Sequence, residues 1–263
     1  MSFARITNAC SQTAGNFVRS GVVLLLLGVA ACQPIQAPSA PTAQVIQVTF
    51  TPAVSTWKTP FNRCAGSLPG IGLEVDERYA GQLDPGTAGL VVRAGPPPGA
   101  GPATAVIIGW DDLVFITHAG SLTASLSLNQ IARLYTGQVH AWRDLVPGGS
   151  PDTPVSWTYP SGDELRGILA HTLGLQNSIT VGAYVAPDPA AMLDAVSQTP
   201  GAIGYLLKSA LPSAPAQVQV LALSGDGLSQ LHIPITTSHN DQSSQPEGML
   251  RQLMLCVQAQ PGP

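Results

Sequence analysis

From Gln44 to Gln258 the chain alternates short apolar runs with segments whose apolar residues recur every three or four positions. That alternation constrains the fold more than any other feature, because it calls for an α/β domain with helices covering a sheet. "QVIQVTF", "IGLEVDERY", "AGLVVRA", "VSWTY", "AIGYL", "VQVLAL" and "HIPITT" read as strands. Helices are expected within "TPAVSTWKTPFNRCAG", from Asp163 to about Leu173, around Ala190 to Val196, and in "EGMLRQLMLCVQ". One run stands apart: "TAVIIGWDDLVFITH" is long for a single strand, and Asp111 and Asp112 interrupt it. It reads as a passage from one half of the fold to the other, with "AIGYLL" as the return. The expected organisation is two lobes, residues 44–110 with 206–263 and residues 111–205, with a cleft between them of the kind that favours ligand sites.

The segment after the crossing, "SLSLNQIARLYTGQVHAWRDL", begins with a helix signal. Leu128, Ile131, Leu134 and Tyr135 share one helical face, so the segment should lie against a core. Ser127 stands where an N-cap hydroxyl is needed and Gly137 where a left-handed C-cap would end the helix. The stretch "GPPPGAGP" reads as a surface loop.

Composition removes two function classes. The 11 Lys and Arg are scattered and the net charge is −4, so the basic stripe that dominates nucleic-acid affinity is missing. With 44% hydrophobic and only 10% charged residues, the chain is not disordered throughout.

At the N-terminus Arg5 and Arg19 precede "GVVLLLLGVAAC", a run too short to span a bilayer but suited to a signal-peptide core. Its end, Val29-Ala30-Ala31-Cys32, resembles the lipobox of bacterial lipoproteins, in which the cysteine is acylated and becomes the first mature residue. An ordinary signal peptide with small residues at its cleavage site is the other reading. The expected layout is a signal peptide at 1–31, lipidation at Cys32, and a flexible tether at 32–43, "CQPIQAPSAPTA", which lifts the folded domain off the membrane. With Cys10 removed and Cys32 lipidated, Cys64 and Cys256 remain as an even pair in an oxidising compartment. They form either a disulfide or two buried free thiols.

Three segments in order carry a family resemblance: "DDLVFITHAGSLTASLSLNQIARLYTGQVHAWRDL", "YPSGDELRGILAHTLG" and "AVSQTPGAIGYLLKSAL". Together they resemble the type 2 periplasmic-binding-protein fold, and within it the PstS-like phosphate-binding proteins of ABC transporters. Leu134, Tyr135, Thr136, Gly137 and Trp142 stand for the family's "FTG"-like turn and following Trp. "SGD" stands where the family has "SGT", and Pro200 to Tyr205 match the return strand. The resemblance implies two α/β lobes joined by hinge strands, closing on an anion held by hydroxyls and helix N-termini. The implied ligand-binding positions are Ser55 and Thr56, opening the first helix, Asp111 on the long strand, and Ser161, Gly162 and Asp163, opening another helix. Helix capping is an equal reading for Ser161 and Asp163.

Departures from the family pattern argue against phosphate. No arginine precedes the "SGD" turn, Asp163 replaces a threonine, and "GTAG" from Gly86 to Gly89 replaces "GTAD". A carboxylate at Asp163 would repel an anion by about 1 kcal/mol or more, depending on the local dielectric. The ligand is then another small molecule, or the fold serves a different purpose.

No nucleophile elbow, HExxH, P-loop or GxGxxG motif occurs, and His118, His140, His171, His232 and His239 are dispersed. Asp111 and Asp112, adjacent on a strand, face opposite sides and cannot act on one atom. Trp110, Trp142 and Trp157 read as core or pocket walls. No enzyme activity, metal or cofactor is expected. The sequence reads as a monomeric, lipid-anchored solute-binding protein on the extracytoplasmic face of a bacterial membrane, passing a small ligand to an ABC permease. The alternative is a sensor or interaction lipoprotein that keeps the fold with a degenerate ligand site.

Overall fold

Strand formation follows the apolar runs. The computed structural model describes residues 44–83, 89–96, 103–121, 125–175, 179–180, 182–213, 217–240 and 247–263. Cys32, the signal and tether segments, Gly86 and most of "GPPPGAGP" lie outside the described residues. The chain runs β1 (Gln44–Phe50), a 3-10 turn (Pro52–Trp57), α1 (Lys58–Ser67), β2 (Ile71–Glu77), β3 (Leu90–Ala94) and β4 (Ala103–His118). Then come β5 (Leu126–Ser127), α2 (Leu128–Tyr135), β6 (Val155–Thr158), α3 (Glu164–Thr172), β7 (Tyr184–Val185), α4 (Pro189–Gln198) and β8 (Ala202–Leu207). A 3-10 turn at Lys208–Ala210 leads to β9 (Val218–Val220), β10 (Leu223–Ser224), β11 (His232–Asn240) and α5 (Glu247–Gln258).

The main sheet is ordered β2-β1-β3-β11-β4-β8-β6-β7, with β9 also on β4. Its two halves share β4. Residues Ala103–Asp112 of that strand pair antiparallel with β11, whereas Leu113–Thr117 pair antiparallel with β8 and Ile116–His118 with β9. Sixteen residues at about 3.3 Å each reach roughly 50 Å, long enough for one strand to serve both halves. The register against β11 shifts between Ile235 and Thr236, which face Gly109 and Ile107, so Ile108 is the extra residue of a bulge that bends the strand. Gly109 is required there: a Cβ would run into the Trp57 indole. The pairing keeps Leu206 and Leu207, and the short β9 and β10 after them, with the second half. Pairing with the first half resumes at His232 in β11.

Burial explains each element. β1 buries Ile46, Val48 and Phe50 at alternate positions, while every residue of β8 is buried, as befits an interior strand covered by α4. α2 buries Ile131, Leu134 and Tyr135. Its start is a complete capping box, with Ser127 Oγ accepting from Gln130 N at 3.3 Å and Gln130 Oε1 accepting from Ser127 N at 2.8 Å. Gly137 follows the helix with φ +75°. Trp142 is fully buried and Tyr135, Tyr159 and Tyr205 meet edge to face, with Tyr205 bonded to Thr158 Oγ1 at 2.8 Å. In the first half α1 lies beside α5, and Cys64 on α1 is bonded to Cys256 on α5, their Cα atoms 5.8 Å apart.

Candidate functional site

A cavity of about 830 Å³ opens where the two halves face each other. One wall comes from the turn at Ala80–Gly81 and from Arg93 to Pro96 at the end of β3. The other comes from the turn Ser161–Gly162–Asp163 and the first two turns of α3. Local chemistry fixes this second wall. Asp163 N donates to Pro160 O at 3.1 Å, Gly162 takes φ +90°, and Asp163 caps α3 by accepting from Leu165 N at 2.8 Å and Arg166 N at 3.4 Å. The walls touch where Gly81 N donates to Gly162 O at 3.1 Å. The approach itself is an ordinary van der Waals one, a Cβ on Gly81 lying 3.4 Å from Gly162 Cα, and it is the positive φ at Gly162 that calls for glycine there.

Beside this contact sits Glu164, the first residue of α3, with its side chain 2% exposed. Its Oε1 crosses to the first half and accepts from Thr51 Oγ1 at 2.5 Å and from Ala94 N at 2.8 Å. Its Oε2 lies 3.4 Å from Arg93 Nε. That spacing is ion-pair range, yet among the described residues neither atom has a hydrogen-bond partner, so the angle between them is poor. Burial pushes the Glu164 carboxyl up to about 7, against the lowering effect of Thr51, Ala94 and Arg93. Burial likewise raises Asp163 to about 6, against the two N–H groups that it caps. Arg166 also lines the cavity and donates through Nη1 to Tyr159 O at 2.9 Å, and His171 stands farther along α3.

The structure gathers Ser161, Gly162 and Asp163 on the cavity, and Asp163 also serves as a helix cap. Ser55, Thr56 and Asp111 are not on it. The first helical turn begins at Thr51, with Pro52 at its first position, so Ser55 and Thr56 fall a turn later. Thr56 Oγ1 meets Ser209 Oγ at 2.9 Å and borders a separate hollow with Arg63 and Pro261. Asp111 accepts from Ser209 N at 3.3 Å at the crossing of β4, beside Trp110, which is half exposed and stacks on His232. Burial raises the Asp111 carboxyl above its ordinary value, with Ser209 and the Asp112 N–H opposing. The residues that do face one another across the cleft but escaped the sequence reading are Thr51, Arg93 and Glu164. The Thr51-Pro52 pair was the available signal, since it marks a helix start. Among the described residues no cluster of three His, Cys, Asp or Glu side chains could hold a metal ion.

A shared sheet, hinge-like strands and a facing cavity define the two-lobed α/β architecture of binding proteins. A family profile described as "PBP superfamily domain" matches residues 86–247, and the chain belongs to that family. Solved structures agree on the fold. A Clostridium perfringens protein described as a phosphate ABC transporter substrate-binding protein with bound phosphate superposes with TM-score 0.70 at 17% identity, covering 81% of this chain and 93% of its own. An ABC-type phosphate transport receptor from Vibrio cholerae gives 0.63 at 14% identity, over 82% and 94%. A sulfate-bound mutant regulatory domain of OxyR2 from Vibrio vulnificus gives 0.58 at 13%, over 84% and 98%. Among curated proteins none matches.

Proposed function

We propose that this chain is an extracytoplasmic solute-binding lipoprotein of the PstS-like kind, anchored through Cys32 and delivering a small ligand to an ABC permease. The observation that carries the reading is the cavity formed jointly by both lobes, with Arg93 from one and Ser161, Gly162 and Arg166 from the other. Guanidinium groups, a hydroxyl and backbone N–H groups favour an oxyanion or a carboxylate-bearing solute. The similar fold of the Clostridium and Vibrio phosphate-binding proteins supports the same role. The lobes would be residues 44–112 with 232–263 and residues 113–231, hinged where β4 passes between them at Asp112–Leu113 and where the chain returns at Leu231–His232. Closure would follow from ligand contacts made to both walls at once.

A second reading, an envelope sensor or interaction lipoprotein with a degenerate ligand site, is favoured by one observation: a carboxyl of the chain itself sits among donors of the cleft. Calorimetric titration of the full-length protein in detergent with phosphate, sulfate, carboxylic acids and neutral solutes separates the two. Saturable heat for any member supports solute capture, and a silent cleft across the panel supports the second reading. The anchor is tested apart, by mass spectrometry of the membrane fraction; an unmodified Cys32 or another mature start removes it.

A further inference from the structure

We infer that the Glu164 side chain is a built-in ligand of the cleft: it fills an oxyanion subsite on the first lobe and must withdraw before an external oxyanion can enter. The inference rests on the cleft being the solute site. Three donors of different kinds converge on this carboxyl from the first lobe. They are the Thr51 hydroxyl at the start of the first helical turn, the Ala94 backbone N–H at the end of β3, and the Arg93 guanidinium. A hydroxyl, an amide and a cation turned toward one point are the set that receives the oxygens of a small anion. What they receive here comes from the opposite lobe. Glu164 belongs to α3, so its carboxyl bridges the cleft as a bound anion would, next to the backbone bond between Gly81 and Gly162.

The neighbouring residue repeats the substitution on the second lobe. The free N–H groups at the start of α3, a natural anion seat, are taken by the carboxyl of Asp163. Two consecutive acidic side chains thus satisfy both walls. The fit is incomplete at one place: Oε2 of Glu164 and Nε of Arg93 are both buried without a hydrogen-bond partner among the described residues. A pair selected for stability alone would dock in parallel, two bonds at a time. The arrangement leaves Arg93 with unspent donor capacity beside a cavity large enough to accept the displaced side chain.

The test is calorimetric titration of the full-length protein with inorganic phosphate and with sulfate. Wild type, Glu164→Ala and the double variant Thr51→Val/Glu164→Ala are compared at pH 8. Removing the side chain should tighten oxyanion binding roughly tenfold to a hundredfold over wild type, the factor expected when charge-assisted hydrogen bonds become available. Thr51→Val should cancel most of the gain. Wild-type binding as tight as that of Glu164→Ala overturns the inference, and so does a folded Glu164→Ala that gains nothing. Should that variant fail to fold, as read by circular dichroism, Glu164→Gln carries the test. Its neutral amide holds the donors less well, so a smaller gain is expected and the absence of any gain overturns the inference. The outcomes also separate it from the transport reading. A wild type silent to both anions with a gain in the variant upholds the built-in ligand while removing capture of phosphate and sulfate by the wild-type cleft. Wild-type binding of a solute without any gain in the variant does the reverse.

Discussion

The cleft carboxyls should make the protein less stable at pH 8 than at pH 5. Glu164 rises from 4.5 to about 7 in the folded state and Asp163 from 3.8 to about 6, with burial the leading cause for both. For an acid whose folded value is raised, the folded state binds the proton more tightly than the unfolded chain does. Its favourable contribution is therefore present below the unfolded value and is lost as pH climbs through the folded one. The window is about pH 4 to 8. At 1.36 kcal/mol per unit, each group costs on the order of 3 kcal/mol once ionised. The charged and titratable groups facing Glu164 are Arg93, from β3, and Asp163, from its own turn. The two acids lie side by side, so the two proton losses belong to the pair. Urea unfolding of wild type and Glu164→Gln at pH 5 and pH 8 isolates one of them. Glu164→Gln should lose less stability over that interval by about 3 kcal/mol, or roughly 6–12 °C in melting temperature. Wild-type stability that climbs from pH 5 to pH 8, or a gap between the proteins that does not change with pH, would refute the reasoning.

Three further outcomes can be checked by thermal or chemical unfolding. Replacing both Cys64 and Cys256 by Ser opens a loop with a sequence separation of 192 and should cost up to about 5 kcal/mol in the chain-entropy picture, so reducing agent should lower the wild-type melting temperature and leave the variant unchanged. Gly109→Ala forces a methyl into the Trp57 indole and should cost roughly 1–3 kcal/mol, with a change in tryptophan fluorescence. Ser127→Ala removes the hydroxyl of the capping box on α2 and should cost about 1 kcal/mol, read from the shift in urea midpoint at constant slope.

Local elements were readable because their signals are local. Period-two burial in β1, the apolar face of α2, and the caps at Ser127 and Gly137 are written in residues a few positions apart. The unusual length of the run ending at His118 also announced a strand shared by two halves. Pairing partners were harder, because a hydrophobic run does not state its neighbour. "AIGYLL" looks like a return segment, yet its partners are β4 and β6, and His232 begins the strand that runs back. At the site, the "SGD" turn announced one wall through its glycine and its cap. The other wall rests on Thr51 and Arg93 meeting Glu164 more than seventy positions away, a relation fixed only by sheet order. Ser55 and Thr56, the positions that the family resemblance implies at the opening of the first helix, lie a turn past its start at Thr51-Pro52.

Among the described residues the sheet does not close on itself, and its two rims are guarded by different means. Along the outer strand β2, Glu74, Asp76 and Glu77 are all exposed, the last two paired with Arg78 and Lys58, so a second copy aligning there would have to bury charged side chains. At the far rim β7 is only two residues long, too little backbone to template a lasting ladder, even though Tyr184 and Val185 are apolar and exposed. Substituting Lys for the rim acids would keep this protection, whereas Val or Thr in their place would invite copies to assemble edge to edge.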